Sequence, residues 1–511
     1  LLAAFLEGAA VLSAEILGAK ILTPFFGNSL TVWTSVIGVT ITFLTIGYYV
    51  GGLLSKKQHL RRLLSLMLSL AAVCIIMMPS WATSLFDTFS DSGLYSGTIL
   101  TTCLLLGPSM FALGTTSPII IQQLTSQLND SGRKAGVVYA ISTLGGICFI
   151  FLFGFLIIPF IGISIPLAVL SLAVLLFALY IFKSKIHIAF GIVYILFMLK
   201  VVQMQKTDEG TDITISYMTE GLMGQIKVMD KKYPGSNASY RHLMVNGVPE
   251  SIVTNDKEAI SGWPYVHKLA ILTSMKKDPN ILLFGFGGGS LATEFNRMKL
   301  KTDVVEIDGR LLDVAKNYFY FSDSLITYTT DDARHYMRTS KKQYDIIAFD
   351  VFTGEVIPSY VFTTEGIVEL KSMLKPGGII FINFNELLDP DKTSAYQSIC
   401  NTLLTQGYKV YCKTTTDEIA GVLIAASLND IDFSHIDKSN INKCCSIQPW
   451  TDEFIKNPVT KVDKPFEHGI ILTDDKPVME ILSAATLKKW RQWVIENYTS
   501  PMLKQDQKIF R

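Results

Sequence analysis

The fold class this sequence predicts is a multi-span α-helical membrane domain followed by an α/β part, a small antiparallel β region leading into a doubly wound Rossmann-like domain. Three observations carry that expectation. Residues 1–205 hold about 15 of the chain's Asp, Glu, Lys and Arg, whereas the remaining stretch holds about 74, so the two parts have the compositions of a membrane domain and an ordinary soluble domain. About seven stretches of the first part approach the ~20 apolar residues that a spanning helix needs. In the second part short apolar runs alternate with helix-like segments, and the first such run ends in a glycine-rich turn. The predicted division is 1–205 polytopic helical, 206–265 small β region and 266–511 Rossmann-like.

The candidate spans are 1–23, 30–54, 63–80, 97–124, 136–160, 163–182 and 186–203. Gly47, Gly51, Gly52, Gly145 and Gly146 read as places where helix backbones approach closely. Pro108, Gly114 and Pro118 predict a kink or break in the fourth span. Glu7 and Glu15 lie on the first span, eight residues and so about 80° apart round a helix. A carboxylate at that depth needs a partner, either hydroxyls such as Thr34, Thr40 or Thr42, or a ligand or ion. Lys56, Lys57, Arg61 and Arg62, then Arg133 and Lys134, then Lys183 and Lys185 mark the even-numbered loops as cytoplasmic, with Asp87 and Asp91 between them. Seven full spans would then deliver the soluble part to the outer face, against the cytosolic origin of the cofactor argued for below. Either 186–203 lies in the interface or another candidate is re-entrant.

Within the soluble part, 212–254 alternates as ITISYM, QIKVMD and HLMVNG and predicts the small β region. Residues 281–284 (ILLF) then lead into Gly285-Phe286-Gly287-Gly288-Gly289-Ser290 and a helix-like LATEFNRM, where glycines leave backbone N–H groups open to a ligand at a helix start. DVVEIDG (303–309) ends in Glu306 and Asp308, acids suited to ribose hydroxyls. Asp331-Asp332-Ala333-Arg334 follows, suited to an adenine amino group, and YDIIAFD (344–350) closes on Asp350. This ordered set favours an adenosyl-sulfonium cofactor over a dinucleotide. The net charge of +1 and the absence of a Lys/Arg run leave nucleic-acid binding without support. Seven scattered cysteines show no zinc spacing, the adjacent Cys444 and Cys445 included, and no metal is expected. A chain opening on Leu1 rather than Met predicts a longer product.

The stretch ILLFGFGGGS…VVEIDGRLLDVAKNYF…DDARHYM…YDIIAFDVF…LKPGGIIFINF, with LTDDKPVME at 472–480, resembles the spermidine synthase (polyamine aminopropyltransferase) family over about 210–485. The front end, SAEILGAKILTPFFGNSLTVWTSVIGVTITFLTIGYYVGG, is similar to the membrane domain of bacterial fused transporter/spermidine synthase proteins. The resemblance implies decarboxylated S-adenosylmethionine as donor, Glu306 as ribose-binding acid, Asp332 as adenine-binding acid, and Tyr265 in WPYVHKL as a residue of the amine pocket. Two positions depart from it. Gly288 stands where the family has an Asp that repels the carboxylate of intact S-adenosylmethionine, and Thr353 stands where it has the Asp that deprotonates the amine.

An attacking amine with a pKa near about 10.4 must lose a proton. Asp350 is the first candidate base and His267 and Glu250 are the second. The structural alternatives are a turn cap for Asp350 and a satisfied helical histidine for His267. Three functions follow: aminopropyl transfer to an amine, methyl transfer from intact S-adenosylmethionine (which Gly288 permits), or a transporter with a nucleoside-sensing soluble domain. The expected partners are a small amine or membrane-associated substrate, the lipid bilayer and, as an oligomer, a homodimer.

Overall fold

The computed structural model describes the chain except residues 28–29, 90–93, 126–130, 184, 204–211, 222, 234–237, 352–357, 389–392, 416–418, 434–440, 442–445, 448–449, 451–458, 477, 505–508 and 510–511. Asp91, Thr353, Cys444 and Cys445 therefore lie outside the described residues. The chain divides into two compact units, Leu1–Lys227 with Val245–Gly247 and Ile495–Arg511, and Val228–Met244 with Val248–Val494.

In the first unit α1 (Leu2–Phe26), α2 (Leu30–Leu54), α3 (Leu60–Phe89), α4 (Leu94–Leu124) and α5 (Ser131–Phe151) follow in order. A π-helical turn (Leu152–Ile157) leads to α6 (Ile158–Ile161), α7 (Ser164–Ile181) and α8 (Ile186–Gln203). Among the described residues six helices are long and apolar enough to cross a membrane, the fifth of them running unbroken from Ser131 to Ile161. The seventh candidate is also helical, as α8, whose described apolar stretch is Ile186–Lys200.

Close backbone approach holds this bundle. A Cβ added at Gly47 or Gly51 of α2 would lie 2.6 Å from the carbonyl oxygens of Phe111 and Thr115 on α4. On α1 and α5, Gly8 faces the Ser142 carbonyl and Gly145 faces that of Phe5, again with no room for a side chain. Gly52 does not act this way, since nothing lies within 4 Å of its missing Cβ. Nor is the fourth span broken: α4 runs through both Pro108 and Pro118, with α2 packed along the stretch between them. The partner of Glu7 also differs from expectation. The Ser142 hydroxyl donates to its carboxylate at 2.6 Å, whereas Thr42 turns back to the Gly38 carbonyl and Thr34 faces outward.

Strands β1 (Ile213–Thr219), β2 (Ile226–Lys232), β3 (Ser239–Val245) and β4 (Val248–Thr254) form a small sheet in that order. Asn246 and Gly247, at φ 52° and 81°, make the two-residue turn between β3 and β4 that such residues favour.

The second unit continues with α9 (Pro264–Thr273), β5 (Ile281–Phe284), α10 (Ser290–Arg297), β6 (Thr302–Glu306), α11 (Arg310–Tyr318), β7 (Ile326–Thr330), α12 (Ala333–Thr339), β8 (Tyr344–Phe349) and α13 (Thr364–Ser372). After these come β9 (Leu374–Glu386), α14 (Ala395–Thr405), β10 (Lys409–Thr414), β11 (Ala420–Ser427), the short β12 (Thr460–Lys461) and a helix at Ala484–Val494. The eight-stranded sheet is ordered β12-β10-β11-β9-β8-β5-β6-β7. Strands β7, β6, β5, β8 and β9 pair in parallel, as strands linked by helical crossovers must, and β10 to β12 add an antiparallel edge. Fully buried Leu282, Phe284, Ile347, Phe349, Ile380 and Ile382 explain why these strands read as continuous apolar runs.

Candidate active site

The strand order reverses between β5 and β8. The chain leaves β5 toward β6 and β7 on one side, then returns to lay β8 and β9 on the other, which opens a crevice beyond the carboxyl ends. Gly285 ends β5 and Asp350 ends β8. Gly285 sits at φ 89°, and a Cβ there would run into the Asp350 carbonyl oxygen, so only glycine lets the two strand ends meet. Gly287 and Gly289 also have positive φ, 54° and 78°, and α10 starts directly after them.

Glu306 ends the neighbouring β6, and its carboxylate accepts the Phe286 N–H at 2.9 Å and the Asp308 N–H at 3.0 Å. It therefore ties the glycine turn to β6, while the second lone pair of each oxygen is left for a ligand. Burial raises its pKa, opposed by the backbone donors of Asp308 and Phe286.

At the end of β8, Asp350 accepts from the Tyr265 hydroxyl at 3.0 Å and from the Asn383 side-chain amide at 2.9 Å. The three come from α9, β8 and β9. Burial pushes the Asp350 carboxyl up from its ordinary range, and the two hydrogen bonds only partly offset it. The same burial, with the Asp350 charge beside it, holds the Tyr265 phenol well above its usual value, so it stays a donor. A cavity of about 240 Å³ adjoins them, lined by Tyr265 and Asn383, by Glu250 of β4, and by Trp263 and Trp490, whose ring centroids are 6.3 Å apart.

Other expected site residues are engaged elsewhere. Asp308 is gripped by Arg310, with Nε at 2.9 Å and Nη2 at 2.6 Å. Asp331 meets the His335 ring at 2.8 Å. Asp332 caps α12 through the His335 N–H at 2.9 Å and takes the Tyr360 hydroxyl at 2.7 Å. His267 is not brought to Asp350. Two residues along α9 from Tyr265, it turns inward, bonds the Ser261 carbonyl at 2.9 Å and stacks on Trp450. Glu250 does reach the cavity.

Three participants escaped the sequence reading. Asn383 left a trace, as a polar residue inside an apolar strand. Trp490 and Ser251 left none. Ser251 is buried beside the glycine turn, where its Oγ accepts the Gly288 N–H at 2.9 Å.

The order of the sheet, the glycine turn at its reversal point and the acid ending the next strand define the second unit as a Rossmann-like domain of the methyltransferase-fold class. Residues 264–433 match the spermine/spermidine synthase domain, and that stretch of the chain is spermidine synthase-like. A polyamine aminopropyltransferase of Vibrio vulnificus is 37% identical over 128 residues, 24% of this chain and 43% of that protein. A probable polyamine aminopropyl transferase of Bifidobacterium longum is 25% identical over 53% of this chain and 63% of its own length. The chain thus spans less than two thirds of either relative. A probable spermidine synthase structure from Corynebacterium glutamicum shares 17% identity, covering 50% of this chain and 90% of that one, with a TM-score of 0.36.

Proposed function

We propose that this chain is a membrane-anchored alkyltransferase that moves a group from an adenosyl-sulfonium donor to an amine, with aminopropyl as the group its relatives indicate. The observation that carries the proposal is the Tyr265–Asp350–Asn383 cluster at the sheet's reversal point, beside the glycine turn and next to a cavity. The residues fit such a donor: Gly285, Gly287 and Gly289 form a cradle that side chains would fill, and Glu306 keeps acceptor capacity for ribose hydroxyls. Asp331 and Asp332 stand at the β7–α12 junction for the base, sharing their oxygens with His335 and Tyr360. When bound, the sulfonium supplies an activated carbon, to which the amine nitrogen bonds as the C–S bond breaks and its electrons leave with the thioether nucleoside.

Asp350 takes the amine's proton. Its raised pKa brings it closer to that task, and Tyr265 and Asn383 fix the carboxylate's orientation. Glu250 and Tyr265 face the acceptor in the cavity. Lys183 and Lys185, directly after the sixth apolar helix, support a catalytic part on the cytoplasmic side of a bacterial inner membrane. The domain division at 205 and 265 is part of this reading.

A second reading, methyl transfer from intact S-adenosylmethionine, is favoured by one observation, the absence of an acid at Gly288. The test is to incubate the full chain in detergent micelles with each donor and a panel of amines and to identify products by mass. Methylthioadenosine with an aminopropylated amine is the expected result, and S-adenosylhomocysteine with a methylated amine supports the second reading. Nucleoside binding without either product overturns the enzyme in favour of a sensor.

A further inference from the structure

We infer that Ser251 is the residue that reads the donor's tail, and that its neutral hydroxyl admits a tail bearing a carboxylate. The inference rests on the adenosyl-sulfonium reading and names a residue outside the glycine motif. Ser251 lies on β4, far from the turn in sequence, yet it is only 4% exposed and its Oγ accepts the Gly288 N–H. Having accepted that bond, the hydroxyl still has its own proton to donate. A Cβ added at Gly288 would lie 2.9 Å from the Ser251 Cβ, 3.0 Å from its Oγ and 3.3 Å from the Phe319 ring. Serine at 251 and a side chain at 288 therefore exclude one another, and the space beside the turn belongs to Ser251.

What surrounds this point is rich in donors. The turn runs into α10, whose first backbone N–H groups have no partner within the helix. Its first residue, Ser290, is buried to nine tenths, and its hydroxyl has no hydrogen-bond partner among the described residues. A helix start and two buried hydroxyls can accommodate an anionic group. Glu250, the adjacent strand residue, lines the cavity, and its Cβ lies 4.0 Å from where a Cβ on Gly287 would sit.

The test is calorimetric binding to the full chain in micelles with three probes: intact S-adenosylmethionine, its decarboxylated form, and methylthioadenosine as the tail-less control. Wild type should bind the intact and decarboxylated forms within about tenfold of each other. Ser251→Asp should shift the ratio toward the decarboxylated form by at least about tenfold through like-charge repulsion, with methylthioadenosine affinity unchanged. Ser251→Ala, which adds no bulk or charge, should weaken only the intact form. A wild type that prefers the decarboxylated form by more than about tenfold overturns the inference, as does a ratio indifferent to both substitutions. Failure of the wild type to bind methylthioadenosine would instead sink the adenosyl reading on which it stands.

Discussion

Replacing Asp350 by Asn separates chemistry from architecture in this site. The side chain has two hydrogen-bond partners, the Tyr265 hydroxyl at 3.0 Å and the Asn383 amide at 2.9 Å. In the variant the new carbonyl oxygen accepts from Asn383, and the new amide donates to the Tyr265 oxygen, whose proton rotates away. Shape and both contacts survive while the charge and the basic site are lost. Loss of a general base should lower kcat by about 10²–10⁴-fold, with donor affinity unchanged. Stability gives a second readout. Because burial raises the Asp350 pKa above its ordinary 3.8, the group stabilises the fold only at low pH, and that contribution is lost as pH rises through the folded value. At pH 7 the buried charge is a net cost, so the Asn variant should unfold no earlier than wild type. The acid limb of the wild-type kcat/KM profile should lie above pH 3.8 and vanish in the variant. Product formation by mass analysis and thermal unfolding in micelles measure both. Turnover within about threefold of wild type would refute the assignment and make Asp350 a cap for the strand end.

Glu306→Ala removes the acceptor for any ribose and releases the Phe286 and Asp308 N–H groups, so methylthioadenosine affinity should fall at least about tenfold by calorimetry, and unchanged affinity would remove this acid from the site. Trp490→Ala opens one wall of the cavity and should raise KM for the amine severalfold while leaving donor affinity alone, whereas an effect on the donor instead would assign the cavity to the nucleoside. Gly145→Ala places a methyl group against the Phe5 carbonyl and should cost about 1–3 kcal/mol by parting α1 from α5; an unchanged thermal midpoint would show that the two helices are not held by that contact.

How far the sequence disclosed this molecule depends on how local each signal is. Strands β5, β6 and β8 were legible because burial on both faces writes them as unbroken apolar runs, and the turn after β5 because Gly285 has no substitute beside Asp350. The spans were legible by composition. What composition did not show is that α4 keeps its helix through two prolines, with α2 packed on it. Asp332 was visible as an acid in the right place, yet nothing local showed that its oxygens cap α12 and hold Tyr360. His267 looked equivalent to Tyr265 in the same heptapeptide, but a two-residue step on a helix turns the side chain about 200°, into the interior. Asn383, Ser251 and Trp490 converge only through the fold.

The meeting of Gly285 with the Asp350 carbonyl has a mechanistic consequence. A base carried on a flexible loop must be ordered at each turnover, and a misplacement of about 1 Å can cost about 10²-fold. The proposed base, Asp350, is the residue that follows β8, its N–H donates to the Phe284 carbonyl at 2.8 Å, and β8 pairs with β5 from Ile346 against Ile281 to Phe349 against Phe284. The strand that ends in the nucleoside-cradling turn thus fixes the position of the base through the sheet's own register. Glu306 extends the same frame, since its carboxylate holds the Phe286 N–H of that turn to β6. The proposed donor cradle and proton acceptor are therefore positioned by three adjacent parallel strands. Only the cavity wall built from β4, α9 and the helix at Ala484–Val494 lies outside that frame.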